Sequence, residues 1–367
     1  MLGLGNSITG GAAIDDNFWT GNAFAFTVKT DNAGTSNDDQ FSIPFSPKIL
    51  NCTIYWGDGT TSTFSTSDGT QTAITHTYPS AGEYNIYVLE NATKGFGKIR
   101  FNNGGDKLKM INIANWGIFD FDISNTFQGC ANMTCTATDV PVYAADGNHL
   151  ASAFRACTNF NGAVGNWDVS NCTSLERMFN GCTNFNQDLS SWNVSNVTNL
   201  KAIFDSCSSF NGNITSWNVS NVTNFGSTFR NCTAFNQNIG SWNTSSATDM
   251  SNMFAGAAAF NQSIDSWDVS SVTTMNKMFN DANAYNQDMS SWDFEGLTAS
   301  NALFRFIKGT AMNTANYSAL LIRWAAQDVV NNLTVDSGNI QYSSSAASAR
   351  ASLIADDSWT ITDGGQA

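Results

Sequence analysis

The sequence predicts a mainly β protein in which an N-terminal β-sandwich is followed by a β-rich solenoid and a small helical C-terminal cap. Three observations predict this fold. Short apolar and polar stretches alternate from about residue 18 to residue 100. Tryptophan then recurs at steps of 25 residues, which is typical of a repeat protein. Near the C-terminus the apolar residues take a helical spacing.

These patterns divide the chain into four segments: an N-terminal docking arm at 1–17, the sandwich at 18–100, the solenoid at 101–310 and the cap at 311–367. The arm reads MLGLGNSITGG, and termini so rich in glycine fray unless they dock on another surface. It carries no Lys or Arg before Lys29 and no long apolar run, so it does not match a secretory leader.

The sandwich segment contains three clear strand candidates, at Phe24–Val28, Cys52–Trp56 and Tyr84–Leu89. Clusters of Gly, Asp, Asn, Ser and Thr separate them. Short strands at this spacing are typical of an antiparallel sandwich.

A turn motif and its buttress stand out in this segment. Six residues carry it: Trp56, Gly57, Asp58, Gly59, His76 and Tyr78. Together with the neighbouring WGDGT and HTY…AGxY text, they resemble the signatures of the polycystic-kidney-disease (PKD) type of Ig-like domain, which implies an Ig-like sandwich. The glycines permit a tight turn around Asp58. A calcium-ligand role for Asp58 is the weaker interpretation, because the several carboxylates that calcium requires are missing nearby.

The solenoid is predicted from aligned columns of residues. The tryptophan column is Trp167, Trp192, Trp217, Trp242, Trp267 and Trp292. A phenylalanine column runs through Phe154, Phe179, Phe204, Phe229, Phe254, Phe279 and Phe304, and a degenerate copy includes Trp116 and Phe127. A 25-residue unit is too short to bury its own aromatic residues, so the units must stack. Each coil then adds one strand to a parallel sheet, at about 4.8 Å per coil.

Two further columns bear on function. The asparagines at Asn161, Asn186, Asn211, Asn236, Asn261 and Asn286 fit either an internal amide ladder or an Asx turn in each coil, and both stay open. The column Cys130, Cys157, Cys182, Cys207 and Cys232 ends in Ala257 and Ala282. Alanine replaces a packing thiol but not a disulfide partner, so the column favours buried thiols.

The repeat unit MFNGCTNFNQDLSSWNVSNVTNL, from Met178 to Leu200, resembles the repeat of BspA-like bacterial surface proteins, a branch of the leucine-rich repeats. This resemblance implies a leucine-rich-repeat-like solenoid. The tail segments Asn316–Gln327 and Ser358–Gly365 resemble the closing unit that follows such repeats. Independently of the family, Leu320, Leu321 and Trp324 share one side of a predicted helix that covers the last coil. A second short helix is predicted at Ala346–Ala355.

Composition excludes several classes of function. The net charge is −14 and only 13% of residues are charged, without a basic patch, so no nucleic-acid partner is expected. No run of 18 apolar residues exists, so no membrane insertion is expected. Catalytic and cofactor motifs are missing, and Asp168 exchanges with Asn193 at one repeat position, which a general acid would not tolerate. We therefore expect no enzyme activity, no cofactor and no metal.

Both family resemblances imply an extracellular role, whereas the arm matches no leader. A phage virion surface protein reconciles the two, because virion proteins fold in the host cytoplasm, and the arm resembles the N-termini of marine phage structural proteins. We expect a capsid decoration, head fibre or tail fibre protein. Its arm would dock on other virion proteins, and its solenoid would attach to a host-surface glycan or protein. A BspA-like bacterial adhesin and a purely structural shell protein are the alternatives, and a homo-oligomer stays open.

Overall fold

The computed structural model describes residues 23–45, 50–66, 73–90, 99–121, 123–143 and 150–367. The predicted docking arm, 1–17, lies outside the described residues. The chain divides into two compact units, with the division between residues 144 and 145. It is mainly β, as predicted, and the described residues include two α-helices. Neither helix is long and apolar enough to cross a membrane.

The first unit contains ten strands among its described residues. They are β1 Phe24–Lys29, β2 Gln40–Pro44, β3 Leu50–Tyr55, β4 Thr61–Thr66, β5 Ala73–Thr77, β6 Glu83–Glu90, β7 Met110–Asn115, β8 Asp120–Phe121, β9 Thr134–Cys135 and β10 Val142–Tyr143. Six of them form one sheet in the order β4-β3-β6-β1-β7-β9, in which β7 and β9 pair in parallel. Strands β2 and β5 pair antiparallel, and β8 and β10 pair in parallel.

The three predicted strands are confirmed as β1, β3 and β6. Phe26 lies opposite Ile86, and Ile54 lies opposite Val88. All four side chains are at most 2% exposed. Alternate residues therefore face one core, as the period of two along a strand requires.

A buried polar pair fixes β7 to the loop between β1 and β2. Asp106 and Lys109 are both fully buried. The Asp106 carboxylate accepts hydrogen bonds from the Ser42 N–H at 2.7 Å and the Ser36 hydroxyl at 2.6 Å. The Lys109 ammonium donates to the carbonyls of Asn37 and Gln40 at 2.7 and 2.9 Å. These bonds compensate the desolvation of two charges and tie the segment after residue 100 to the loop between β1 and β2.

The first unit also contains the beginning of the repeat. The Phe101 N–H donates to the Thr126 carbonyl at 2.8 Å, and the Asn103 N–H donates to the Gln128 carbonyl at 2.9 Å. The same pattern joins successive coils throughout the second unit. This pattern of hydrogen bonds starts at residue 101, whereas the compact units divide 44 residues later, between 144 and 145.

In the second unit, successive repeats are joined by a ladder of backbone hydrogen bonds. The described residues between 150 and 313 contain no β-strand, so the prediction that each coil adds one strand to a parallel sheet is wrong. Alternate N–H groups from residue 175 to residue 181 donate to carbonyls from residue 199 to residue 205, at 2.7–3.0 Å. Parallel bridges mark the same register at Ser174↔Asn199, Asn199↔Asn224, Asn224↔Asp249 and Asp249↔Thr274. In each coil, we call the stretch whose backbone groups form these hydrogen bonds the ladder segment. The ladder segments are 150–156, 174–181, 199–206, 224–231, 249–256, 274–281 and 302–309.

Each ladder segment bends at two residues with positive φ. In the second coil these residues are Arg177, with φ 55°, and Gly181, with φ 78°. In the first coil Ala156, with φ 59°, is the equivalent of Gly181. Three of the six later ladder segments place glycine there, at Gly181, Gly256 and Gly309. Most coils thus hold an L-residue in the left-handed region, where its Cβ is disfavoured by roughly 1–2 kcal/mol.

The last coil departs from the predicted register. The Phe279 N–H donates to the Phe306 carbonyl and the Asp281 N–H to the Lys308 carbonyl, so three residues have been inserted after Thr298. Ile307, fully buried, therefore occupies the phenylalanine column. The prediction that Phe304 continues this column is wrong. Phe304 lies three residues before Ile307 and is half-buried.

The C-terminal cap comprises α1 Thr314–Ala325, β11 Thr334–Asp336, α2 Ala347–Ala355 and β12 Thr360–Thr362, with a 3₁₀ turn at Ser344–Ala346. Both predicted helices are confirmed. Leu320, Leu321 and Trp324 are buried on one side of α1, and the Trp324 ring lies 5.9 Å from Phe294. Strand β11 pairs in parallel with β12, and the Thr334 N–H donates to the Ser300 carbonyl. The cap thus covers the aromatic core and continues the ladder.

We predict opposite effects of exchanging glycine and alanine at the positive-φ position. Gly181→Ala should lower the free energy of unfolding by about 1 kcal/mol, because alanine is strained in this conformation. Ala156→Gly should raise it by up to about 1 kcal/mol, less the extra entropy that glycine adds to the unfolded chain. Urea denaturation measures both. Ala163→Gly, at an exposed residue with negative φ, is the control and should destabilise.

We also predict that Lys109→Met destabilises the first unit by about 3–5 kcal/mol, because it removes the positive charge beside the buried Asp106 carboxylate and the donor to three carbonyls. Lys107→Met is the matched control. Lys107 is partly exposed and its ammonium donates to the backbone and side-chain oxygens of Asn103, so its loss should cost less than about 1 kcal/mol. Equal denaturation midpoints for the two variants would contradict the structural role of Lys109.

Candidate functional site

The predicted turn motif follows β3 and is closed by side-chain hydrogen bonds. Asp58 Oδ1 accepts from the Thr60 hydroxyl at 2.6 Å and the Thr60 N–H at 2.9 Å. Asp58 Oδ2 lies 2.8 Å from His76 Nε2, on β5. Gly57 has φ +86°, and a Cβ there would lie 2.5 Å from the Asn85 carbonyl oxygen. Only glycine therefore allows this turn to approach β6.

Aromatic rings enclose this carboxylate. Trp56 stacks on His76, with ring centroids 4.6 Å apart and planes 6° apart. His76 meets Tyr78 edge-on at 4.5 Å, and Tyr78 stacks on Tyr84 at 3.8 Å. Gly59, at φ +89°, has open space around it. The structure therefore brings together all six residues of the predicted motif.

The Asp58 side chain is only 4% exposed. Burial by itself raises the pKa of Asp58, but the hydrogen bonds from Thr60 and His76 outweigh burial and lower this pKa below its usual value. Both carboxylate oxygens are engaged within the turn. This arrangement favours the turn interpretation over the calcium interpretation of Asp58.

The tryptophan column lies inside the coils. Each of the six tryptophans is at most 3% exposed. Trp192, Trp217 and Trp242 stack in sequence with centroids 6.1 and 6.3 Å apart. From Trp192 onward, each Nε1–H donates to a main-chain carbonyl of the preceding coil at 2.9–3.3 Å. These residues hold coils together and do not line a ligand groove.

The asparagine column takes neither of the two arrangements left open by the sequence. Each Oδ1 accepts the backbone N–H of the equivalent asparagine one coil later, at 2.8–3.0 Å. The side chains lie on the surface, so the ladder is not internal. At the end of the series Asn286 accepts the Asn313 N–H at 2.9 Å, so helix α1 takes over the pattern at its first residues.

A glutamine column, which the repeat pattern did not lead us to predict, reinforces this ladder. The Nε2 group of each glutamine donates to the asparagine Oδ1 of the preceding coil, at 2.8–3.2 Å: Gln187, Gln237, Gln262 and Gln287. Asn316 on α1 donates to Asn286 in the same way, at 3.0 Å. The signal was present in the sequence, because the dipeptide Asn-Gln recurs in four of the six coils.

Asx turns occupy the position one residue after the tryptophan. The side-chain oxygen accepts the N–H two residues later at 2.9–3.2 Å, in Asp168, Asn193, Asn218, Asn243, Asp268 and Asp293. Asp and Asn offer the same oxygen to this bond, which explains why they exchange freely. In Asp168 and Asp268 the hydrogen bond from the following serine is the main cause that lowers the pKa of the carboxyl.

Charge is divided between two sides of each coil. We define the polar arc as the stretch from the asparagine column through the tryptophan: 161–171, 186–196, 211–221, 236–246, 261–271 and 286–296. All seven Lys and Arg residues between 150 and 310 fall in the ladder segments: Arg155, Arg177, Lys201, Arg230, Lys277, Arg305 and Lys308. The polar arc contains seven Asp and Glu residues and no Lys or Arg. It is therefore a polar and purely acidic surface.

The cysteines of the repeat column are buried. Cys182, Cys207 and Cys232 donate to carbonyls of the preceding coil at 2.8–3.0 Å. Burial raises the pKa of these thiols well above the usual value. They pack as small apolar groups, as the exchange for Ala257 and Ala282 predicts.

Comparison with known proteins yields one family. A family model described as "Mycoplasma protein of unknown function, DUF285" matches three overlapping stretches, 121–234, 148–257 and 212–317. Together they span more than half of the chain and coincide with the repeats. No curated protein and no solved structure matches the chain.

We predict that the Asp58 turn contributes to stability only above acidic pH. Because the folded pKa of Asp58 lies below its usual value of 3.8, the contribution is complete above about pH 5 and is lost as the pH falls through the folded value. Urea denaturation between pH 6 and about pH 2.5 should therefore show a steeper loss of stability for the wild type than for Asp58→Asn. Parallel pH profiles for the two proteins would contradict this role. Asp31→Asn, at an exposed residue, is the control.

Proposed function

The chain belongs to the DUF285 family, and on that premise we propose that it is a non-enzymatic surface protein whose repeats attach to the surface of a cell. Its repeats form a β-rich solenoid of the leucine-rich-repeat type, resembling BspA-like surface proteins. Its first strands form a PKD-like Ig sandwich that serves as a spacer. The observation that carries the proposal is the polar arc, which repeats the same exposed polar groups from coil to coil.

Two features support the solenoid and the sandwich. The ladder hydrogen bonds and stacked rings recur in register from one 25-residue coil to the next. Strands β1, β3 and β6 pair antiparallel in one sheet, and β2 and β5 pair in a second, with the WGDGT turn closing β3. Strand pairs of this kind are the building blocks of Ig-like sandwiches.

The chemistry of the polar arc supports attachment by hydrogen bonding. Each coil presents amide and hydroxyl groups in fixed positions, because Asx turns and the asparagine ladder hold them, and four of the six coils also present carboxylates. The tryptophan and phenylalanine columns are buried, so they offer no ring for stacking on a sugar. Binding would therefore rest on repeated polar contacts, and many weak contacts along successive coils bind a multivalent surface strongly.

The setting we propose is the surface of a phage virion, with the N-terminal arm docked on other virion proteins. The partner of the solenoid is then a host-surface glycan or protein. A bacterial cell-surface adhesin is the second candidate, and one observation favours it: the matching family is described from Mycoplasma. Mass spectrometry of purified phage particles and of washed bacterial cells separates the two settings.

Attachment is tested with the fluorescently labelled full-length protein on intact candidate host cells. We expect saturable binding. Deletion of residues 204–253, two whole coils, keeps the ladder in register and shortens the polar arc. We expect this variant to fold and to bind more weakly, because fewer contacts act together.

Treatment of the cells identifies the partner. Loss of binding after periodate oxidation of the cells indicates a glycan, and loss after protease treatment indicates a protein. Asp168→Asn combined with Asp268→Asn keeps both Asx turns and removes two charges, so it reports how far charge contributes. A folded full-length protein that binds none of the candidate cells would contradict the attachment function and leave a structural shell role.

A further inference from the structure

One column of the repeat contains residues that its backbone conformation disfavours. The first positive-φ position of every ladder segment has φ between 54° and 60°. Glycine, asparagine and aspartate adopt this conformation most readily. The column nevertheless contains no glycine and three bases: Ser152, Arg177, Ala202, Ser227, Asn252, Lys277 and Arg305. Ease of folding the backbone therefore does not explain the choice of residues in this column.

The second positive-φ position of the same segments is an internal control. Its φ lies between 57° and 78°. It contains three glycines, two Asx residues and no base: Ala156, Gly181, Ser206, Asn231, Gly256, Asp281 and Gly309. Because both positions impose the same conformational requirement, the bases of the first column reflect a use of their side chains. Residues held in disfavoured conformations tend to occur at functional sites.

Contacts within the chain do not account for Arg177 and Lys277. Arg177 pairs with its chain neighbour Glu176 at 2.7 Å, but its side chain is 41% exposed, so this pair adds little stability. Lys277 forms no ion pair in the part of the chain that the structure describes. Arg305, by contrast, meets Asp336 of the cap at 3.5 Å. The first two bases therefore strain the coil without an equivalent gain inside it.

The polar arc varies together with these bases. Four of the six polar arcs contain carboxylates, and they are 161–171, 186–196, 261–271 and 286–296. The ladder segment that follows each of these four arcs contains a base, in chain order Arg177, Lys201, Lys277, and Arg305 with Lys308. The other two arcs are followed by Arg230, which pairs with Asp205, and by a segment without a base. Acid and unpaired base thus occur in the same repeats.

This match has no explanation inside one molecule. The carboxylates of the polar arc and the bases of the ladder segments lie on different sides of the coil, and no ion pair joins them among the described residues. Both surfaces belong to the same coils and advance by the same step, about 4.8 Å between hydrogen-bonded segments. A second copy lying alongside therefore brings carboxylates opposite bases in four repeats at once.

A second copy also fits the ladder segments better than a uniform polyanion does. The segment 249–256 has no base and carries Asp249, and Asp205 and Asp281 lie in two other segments. A polymer with one negative charge on every unit is repelled at these places. The polar arc 236–246, which precedes the segment without a base, has no charge. Complementary charge patterns of this kind select a partner.

We propose that the repeats of two copies associate side by side, with the polar arc of one copy against the ladder segments of the next. The two partners use different surfaces, so each pair keeps one free polar arc and one free set of ladder segments, and the contact continues into a row of copies. The association is weak and depends on salt, because its charges are exposed.

Association and attachment to a cell use the same surface. A copy whose polar arc is covered by a neighbour does not attach, so the two processes compete. The association goes beyond the attachment function and does not depend on it. Sedimentation measures association without any cell, so failure of one proposal is distinguishable from failure of the other.

Sedimentation velocity of the full-length protein tests the proposal. At about 0.1 mM protein and about 0.05 M NaCl the wild type should associate reversibly, and about 0.5 M NaCl should weaken the association roughly tenfold. Arg177→Asn with Lys277→Asn, the base variant, should weaken it about tenfold, and so should Asp188→Asn with Asp288→Asn, the arc variant.

Mixing the two variants gives the sharpest test. The base variant keeps a complete polar arc, and the arc variant keeps complete ladder segments. An equimolar mixture should form pairs with the affinity of the wild type and grow no further at that concentration. A contact between two identical surfaces does not give this result, because neither variant then supplies an intact partner to the other.

The repeat supplies substitutions that preserve the fold. Asn252 occupies the position of Arg177 and Lys277 in another coil, and Asn213 occupies that of Asp188 and Asp288. Asparagine adopts positive φ more readily than arginine or lysine, so the base variant should have a higher unfolding midpoint than the wild type.

The control variant combines Lys29→Gln with Lys107→Gln. It removes two partly exposed bases from the first unit and should leave the association unchanged.

Four outcomes would overturn the proposal. The first is a wild type that stays monomeric at low salt. The second is a mixture that associates no better than its two components. The third is a lower unfolding midpoint of the base variant, which would give Arg177 and Lys277 a structural role. The fourth is a monomeric wild type that binds dextran sulfate through these bases, which would assign the ladder segments to an anionic polymer.

Discussion

The structure depends on one constraint: a 25-residue coil cannot satisfy its own apolar or polar groups, so each coil completes its neighbour. The ladder segments exchange backbone hydrogen bonds, and the tryptophan indole N–H and the cysteine S–H donate to carbonyls of the preceding coil. The rings stack at about 6 Å in the same register. Because all of these contacts share one step, a change of register in any column would break the others.

The same constraint explains the composition. Surface groups that bond to the next coil must be short and must be both donors and acceptors, which Asn, Ser and Thr are and Lys and Glu are not. For example, the Asn211 side-chain oxygen accepts the backbone N–H of Asn236 in the next coil. The backbone N–H of Asn211 donates to the side-chain oxygen of Asn186 in the preceding coil. Between 150 and 310 all Lys and Arg side chains lie in the ladder segments, where Arg230 pairs with Asp205 at 2.7 Å. A strongly periodic protein of this kind therefore has few charges and a separated charge distribution.

Departures from the repeat carry the information about specific roles. The insertion after Thr298 marks the point where the coils give way to the cap, and helix α1 then replaces the asparagine ladder with Asn313 and Asn316.

The sequence by itself determined the elements whose signals are local or periodic: strands β1, β3 and β6, helices α1 and α2, the WGDGT turn and the spacing of the coils. Tertiary structure alone decided matters that depend on distant partners. It buried Asp106 and Lys109 against the loop after β1, and it moved Ile307 into the column expected for Phe304. It also turned the asparagines outward, each bonded to the next coil. The physical reason is that periodicity specifies which residues are equivalent, whereas only the packed coils specify which atom each equivalent residue meets.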